Sequence, residues 1–508
     1  MVAHVATVAL EGITATPVDV QVQLRSGLTA FQVVGLPDGA VRESRERVQA
    51  ALHSLGLSLP AKRITVNLSP ADLSKEGSHY DLPIAVGLLI GLGILPADAA
   101  EGALFMGELS LDGKLRRVGG VLPAAMSAVA QRLERIFVPT ANAKEAAWAG
   151  EITVYGADSL VDILKHLKGE QTLTDTVAMP EKQGALAGIP DFRDVRGQEA
   201  AKRAAEIAAA GGHNLLMVGP PGSGKSMIAQ RLPALLPPMS ATEALEVSMI
   251  HSVGGHLPEA GLLLARPFRD PHHSASAVSL TGGGHNAQPG EMSLAHRGVL
   301  FLDELPEFPR NVLETLRQPL EAGTITISRA RAHVRYPARF QLVAAMNPCP
   351  CGYLGHPHTK CTDTPRQVQA YRNRLSGPLL DRIDLHIEVP AVLATDLALP
   401  APKEGTAEMA ARVAKARAIQ QKRYQGTAVT CNAELSGDLL TEYTKLDSES
   451  QELLTRAATV YNLSARAYHR ALRLARTIAD LSGTADIQRT HVAEALSYRP
   501  QSGLEQTA

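Results

Sequence analysis

The stretch 214–226 reads Asn-Leu-Leu-Met-Val-Gly-Pro-Pro-Gly-Ser-Gly-Lys-Ser. An apolar run enters a Gly-x4-Gly-Lys-Ser turn, and a helical pattern, Ile228–Leu236, follows it. No other feature constrains the fold as strongly. A loop that wraps a phosphate with its own N–H groups needs a buried strand behind it and a helix N-terminus in front. Gly219, Gly222 and Gly224 let the backbone turn and approach, with Pro220, Pro221 and Ser223 completing the loop. Lys225 brings a charge for the β- and γ-phosphates, and Ser226 a hydroxyl for Mg²⁺. The pattern calls for an α/β domain with a mostly parallel sheet, and for ATP and Mg²⁺ as its ligands.

Two further strands agree with it. The segment 298–305, Gly-Val-Leu-Phe-Leu-Asp-Glu-Leu, is a buried strand ending in two carboxylates. This is a Walker B pattern, in which Asp303 holds Mg²⁺ and Glu304 polarises the attacking water. Phe340–Met346 is a third strand, with Asn347-Pro348 at its tip. Read alone this is a turn. Beside a Walker B strand it stands where AAA+ enzymes keep the first sensor of the γ-phosphate.

The rest of the chain divides around this core. The chain has 508 residues, 45% hydrophobic and 20% charged, enough for two to four globular domains. Residues 1–168 alternate short strands (18–24, 29–34, 62–68 and 101–109) with a helix at 43–55, and form a first α/β domain. Residues 169–189 turn polar and non-periodic, as a linker does. The P-loop core is expected over 190–393 and an almost purely helical lid over 394–508. The formal net charge is −1, so contact with nucleic acid must come from local patches. The N-terminus carries no secretory pattern, and the apolar run 82–95 is broken by Pro83 and reads as a buried helix. A cytoplasmic location and no membrane partner are expected.

Long motifs then carry a resemblance. Residues 266–274, Arg-Pro-Phe-Arg-Asp-Pro-His-His-Ser, the run Pro289-Gly290-Glu291-Met292-Ser293, and 344–352, Ala-Ala-Met-Asn-Pro-Cys-Pro-Cys-Gly, resemble the YifB/ComM family of magnesium-chelatase-like AAA+ ATPases. The likeness spans essentially the whole chain. It implies a homohexameric ring that hydrolyses ATP. Within that family it implies branch migration on single-stranded and branched DNA during natural transformation. The segment Leu379-Leu380-Asp381-Arg382-Ile383-Asp384 is similar to the one that carries the arginine finger, so Arg382 is expected to reach a neighbour's ATP. Ser464-Ala465-Arg466 resembles the second sensor, with Arg470 as runner-up. Arg466, Arg470, Arg473 and Arg476 recur at helical spacing and read otherwise as a solvated stripe. Residues 251–290 are expected to be an insertion, with His272 and His273 as structural hydrogen-bonders. A hairpin over 323–335 is expected to line the pore, with Arg329, Arg331 and Arg335 gripping phosphates without reading sequence.

Two more readings concern the ends of this scheme. The segments 107–114, Gly119-Gly120 and 136–139 resemble the proteolytic domain of Lon. His79 stands at the expected serine position, one residue past Ser78, and Ala124 at the expected lysine. Without the amine, serine–lysine proteolysis cannot run, and a non-peptidase role in assembly or DNA contact is expected. Cys349, Cys351 and Cys361 form Cys-x-Cys-x9-Cys, with His356, His358 and Asp363 nearby. The spacing suits Zn²⁺, and relatives often carry a second Cys-x-Cys pair whose last position here is Asp363. The alternatives kept open are the ATPase subunit of a metal-insertion machine and a protein unfoldase.

Overall fold

The computed structural model describes residues 2–178, 189–284, 287–328, 333–392, 400 and 402–499. At the N-terminus, Val2–Glu11 and Thr14–Arg25 form an antiparallel hairpin that turns at Gly12. Val18, Val20 and Val22 point into the core while their neighbours stay half-exposed, the period of two that a one-faced strand requires. The hairpin is the centre of a seven-stranded sheet in the order Ala30–Val34, Arg63–Ser69, Thr14–Arg25, Val2–Glu11, Ala103–Phe105, Arg135–Pro139, Thr153–Ala157. Helix Asp81–Gly91 is apolar on every side and packs on the hairpin.

The single strand expected over 101–109 is instead two. Ala103–Phe105 joins the sheet, while Glu108–Leu109 pairs with Leu115–Arg116. The chain leaves the sheet at Gly107, whose N–H donates to His79 O and whose carbonyl accepts from Leu82 N. After helix Leu160–Leu167 the chain stays on this domain as far as Thr176, which donates to Val154 O at 2.8 Å.

The core sheet has five parallel strands in the order Phe268–Arg269, Val299–Leu302, Gln341–Met346, Leu215–Val218, Leu385–Glu388. Their continuous apolar runs are covered on both faces, as a parallel sheet demands. The edge strand Phe268–Arg269 lies within 251–290. That stretch is therefore not one insertion: it supplies part of the sheet, then helix Ala277–Thr281 and a small pairing of Gly282–Gly283 with Gln288–Pro289.

The hairpin of Thr324–Ser328 and His333–Pro337 is present. Arg329 and Arg331 lie outside the described residues. Its base is buried: Val334 and Tyr336 pack with Ile13, Val253 and Ala287, so one face meets the N-terminal hairpin instead of solvent.

Among the described residues, five α-helices form the C-terminal region: Thr406–Arg423, Gly437–Tyr443, Ser448–Val460, Ala465–Leu481 and Arg489–Ser497. Ser464 caps the fourth by accepting from Ala467 N. Its arginine stripe is solvated at Arg466 and covered farther along. Arg470 and Arg476 are buried, and Arg423 and Arg476 both pair with the fully buried Asp480. Buried cations persist only with such partners. Among the described residues, no helix is long and apolar enough to cross a membrane.

The N-terminal domain is seated on the core through helix Ala241–Val253 and the loop after it. Gly120 N donates to Ser252 O at 3.1 Å, Arg117 to Leu257 O at 3.0 Å and Trp148 Nε1 to Ala260 O at 3.4 Å. Glu145 is buried at this seam, 3.9 Å from Arg117, and accepts from Ser252 Oγ.

Candidate active site

Three neighbouring strands deliver their C-terminal ends to one place. Leu215–Val218 runs into the glycine loop, Val299–Leu302 into Asp303-Glu304, and Gln341–Met346 into Asn347. In an open parallel sheet this edge is where ligands bind, because the strand ends leave a crevice that helices do not fill. Gly219 must be glycine, since a Cβ there would lie 2.1 Å from Val389 O. Gly224, at φ 89°, is left-handed and starts helix Lys225–Arg231.

Within the loop, Lys225 Nζ donates to Gly219 O at 2.7 Å and Pro220 O at 2.8 Å, and faces Asn347 Oδ1 at 3.4 Å. Burial pushes its pKa down, while Asp303 and Glu304 pull it up. Ser226 Oγ donates to Asp303 Oδ2 at 2.7 Å. A hydroxyl and a carboxylate that close are the hard oxygen donors a Mg²⁺ ion takes, so the donor set fits Mg·ATP. Glu304 holds φ at 51°, a left-handed conformation that costs a non-glycine residue about 1–3 kcal/mol. Its carboxylate pairs with His273 Nδ1 at 3.1 Å.

His273 was expected to be a structural hydrogen-bonder, and its partner is the carboxylate expected to polarise water. Asp270 is a second residue that sequence reasoning missed. Burial first, then the charge of Asp303, raises its pKa. Both lie just past the edge strand Phe268–Arg269, in a motif whose neighbours in space the sequence does not reveal. Gln198 is a third: its Nε2 donates to Pro390 O at 2.7 Å and Ser223 O at 3.3 Å, tying the chain before the core to the glycine loop.

Arg382 sits at the opposite end of the sheet. Strand Leu385–Glu388 is parallel to Leu215–Val218, with Leu385 opposite Leu215 and Glu388 opposite Val218. The glycine loop leaves past Val218, whereas Arg382 precedes Leu385 and its carbonyl accepts from Asn214 Nδ2 at 2.8 Å. Four residues of strand, roughly 13 Å at about 3.3 Å each, separate the two ends. The Arg382 guanidinium pairs with Glu321 and donates to Pro378 O. Arg466 is on the same side, 4.0 Å from Asp381, with 63% of its side chain exposed. Arg470 donates to Ile383 O. Neither expected second sensor is therefore gathered with Lys225.

Family models described as "Magnesium chelatase, subunit ChlI", "Subunit ChlI of Mg-chelatase" and "Magnesium chelatase, subunit ChlI C-terminal" match residues 191–397, 20–142 and 403–499. Competence protein ComM of Haemophilus influenzae is 46% identical over 492 residues, 96% of this chain and 95% of that one. The YifB protein of Salmonella typhimurium is 45% identical over 498 residues, 98% and 97% of the two chains. A magnesium-chelatase 38 kDa subunit of Rhodobacter capsulatus is 30% identical over 196 residues, 35% of this chain and 56% of that one.

This chain belongs to the YifB/ComM family of magnesium-chelatase-like AAA+ ATPases. It is an ATPase of that type, and the family implies ATP and Mg²⁺ as its ligands.

The remaining expected site residues fall elsewhere. Arg335 is exposed on the hairpin and donates to Thr324 Oγ1 at 3.3 Å. Cys349, Cys351 and Cys361 converge beside Asp363, immediately past Asn347. In the N-terminal domain His79 is buried with Nε2 2.9 Å from Val8 O, and burial pushes its pKa down to about 4. Ser78 Oγ donates to Glu108, and Ala124 is fully buried. Lys75 is also buried, donating to Pro70 O and Leu73 O.

Proposed function

We propose that this chain is the subunit of a homohexameric motor that couples ATP hydrolysis to movement on single-stranded and branched DNA, of the branch-migration kind. The observation that carries the reading is the split of charges across the core sheet. Lys225, Ser226, Asp303, Glu304 and Asn347 stand at one end, while Arg382 stands at the other. Arg382 cannot reach the γ-phosphate of its own subunit across that span. A ring, in which each subunit offers its Arg382 side to the next one's pocket, meets the need.

In this mechanism Lys225 neutralises phosphate charge, and Asp303 with Ser226 holds the metal. Mg²⁺ held there would offset the negative charge on the β- and γ-phosphate oxygens. Glu304 leaves His273 and orients the water. Asn347 reports the state of the γ-phosphate to the strand behind it. Arg382, and Arg466 beside Asp381, act on the neighbour's nucleotide. Arg335, with Arg329 and Arg331, holds DNA phosphates, a contact that is independent of base sequence. The N-terminal domain, resting on the hairpin through Ile13, supports that grip without peptidase chemistry.

A second reading has specific support. All three matching family models are described by a magnesium-chelatase subunit, including the one over 20–142. The N-terminal domain is therefore compatible with an ATPase that drives metal insertion.

Steady-state ATPase with no DNA, single strands, duplex and a four-way junction separates these, with Lys225→Ala as control. Stimulation that is strongest on the junction and lost in Lys225→Ala is expected. Arg335→Ala is expected to keep basal turnover, weaken DNA stimulation on every sequence and lower the salt dependence by about one ion. Strong ATPase indifferent to every DNA would sink the motor reading and favour the second.

A further inference from the structure

Three thiols and one carboxylate meet just past Asn347. Cys349 Sγ lies 3.4 Å from Cys351 Sγ and 3.6 Å from Cys361 Sγ, and the last two are 3.5 Å apart. Asp363 Oδ2 is 3.8 Å from Cys361 Sγ and accepts from Cys351 N at 2.8 Å, which fixes the carboxylate in place. All four ligand atoms lie within 4.8 Å of one another. A disulfide would bring two sulfurs to about 2.05 Å, and three thiols cannot all pair. A tetrahedron with Zn–S of about 2.3 Å and Zn–O of about 2.0 Å has edges of about 3.8 and 3.5 Å. The observed separations lie within a few tenths of an ångström of those edges for the three sulfurs and for Asp363 with Cys361, far from a bond.

We propose that Cys349, Cys351 and Cys361, with Asp363 as fourth ligand, bind one thiophilic divalent metal of the zinc class. The nearby histidines lie outside this group: His356 Nδ1 accepts from Thr359 N at 3.0 Å and His358 N at 3.2 Å, and the His358 ring stands edge-on to His356 with centroids 6.3 Å apart. Four protein ligands close the coordination shell, so the metal is structural and offers no open position for a substrate.

Its place gives it a task. Gly352, between two of the ligands and at φ 85°, lies so close to the glycine loop that a Cβ there would meet Pro221 Cδ at 2.6 Å. The other flank of the knuckle is Asn347, 3.4 Å from Lys225. The metal thus clamps the 347–363 loop onto the nucleotide pocket, holding Asn347 and Pro221 in register. Asp363 is the weak point of the clamp, because a carboxylate is a harder donor than a thiolate for this metal.

Elemental analysis of the full chain purified without chelator tests this, apart from any question of what the motor acts on. About one zinc per chain is expected. Cys351→Ser and Asp363→Ala are expected to lose most of it, and Cys431→Ser to keep it, since Cys431 is buried far along the chain in the helical region. Asp363→Cys is expected to retain the metal and release it to a chromogenic chelator at least about 10-fold more slowly. Metal-depleted protein is expected to bind a fluorescent ATP analogue at least about 5-fold more weakly, with recovery on adding Zn²⁺. Substoichiometric zinc with three freely titrating thiols in the native protein would overturn the site. Full zinc in Asp363→Ala would overturn the fourth ligand. ATP binding unchanged on depletion would overturn the clamp.

Discussion

The nucleotide end of the core sheet and the turn around Ser78 and His79 are built from similar parts. Each places polar side chains at the ends of buried elements, next to glycines. In the core the polar groups converge on one another: Lys225 on Asn347, Ser226 on Asp303, Glu304 on His273, with Glu304 held in a left-handed backbone. In the N-terminal domain they are spent on the fold. His79 meets Val8 O, Lys75 meets two carbonyls, and Ala124 fills the core. A site that works keeps strained and exchangeable partners, whereas a site that only supports the fold satisfies each group once, locally and in burial.

The largest expected effect concerns the open side of that comparison. Arg382→Ala is expected to lower ATP turnover by about 1,000-fold or more. Mixing Arg382→Ala with Lys225→Ala subunits is expected to restore part of the rate, since some interfaces then combine an intact pocket with an intact arginine. Mixtures no more active than either variant would show that the two residues do not meet across an interface.

The closed side is tested by refilling it. Ala124→Lys, alone or with His79→Ser, is expected to destabilise the N-terminal domain by about 3 kcal/mol or more, because an amine is forced into a packed apolar site. Peptidase activity is not expected to appear, and ATPase is expected to survive. A stable Ala124→Lys variant in denaturant titration would mean that this site is less closed than its packing indicates.

The smallest effect lies at the seam between the two domains. Burial raises the Glu145 pKa to about 7, against the pull of Arg117. A carboxyl whose folded pKa is raised favours the folded state below its ordinary pKa of 4.5, and that contribution is lost as pH rises through about 7. Glu145→Gln is therefore expected to differ least from the parent at pH 5 and to be more stable than it at pH 8 by about 1–3 kcal/mol. Thermal unfolding at the two pH values reads this directly. A gain at pH 5 equal to that at pH 8 would remove titration as the cause.

Much of this was legible before any coordinates, where the signal was local. The glycine loop, the two carboxylates after Leu302 and Asn347 at a strand tip are each read within about ten residues, because a strand end, a tight turn and a helix start have local composition. The arginines of helix Ala465–Leu481 were less legible, for the opposite reason. Helical spacing distinguishes two faces but not whether solvent or Asp480 covers one of them. The stretch 251–290 hid a two-residue edge strand, too short to show a period. His273 and Asp270 were quoted as part of a motif, yet only folding brings them to Glu304 and Asp303.

The sequence by itself determined the P-loop α/β core, the lysine of its glycine loop and the two carboxylates at the end of its neighbouring strand, the arginine on the last strand's approach, and three cysteines at metal-binding spacing. Those depend on backbone conformations that neighbouring residues dictate. Tertiary structure alone decided that Arg382 and Lys225 lie at opposite ends of the sheet, that His273 holds Glu304, that Asp363 completes the thiol cluster, and that the N-terminal turn is sealed. Each of these is a meeting of side chains set by strand register, loop closure or packing, and register is fixed by the whole buried face at once, not by any short segment.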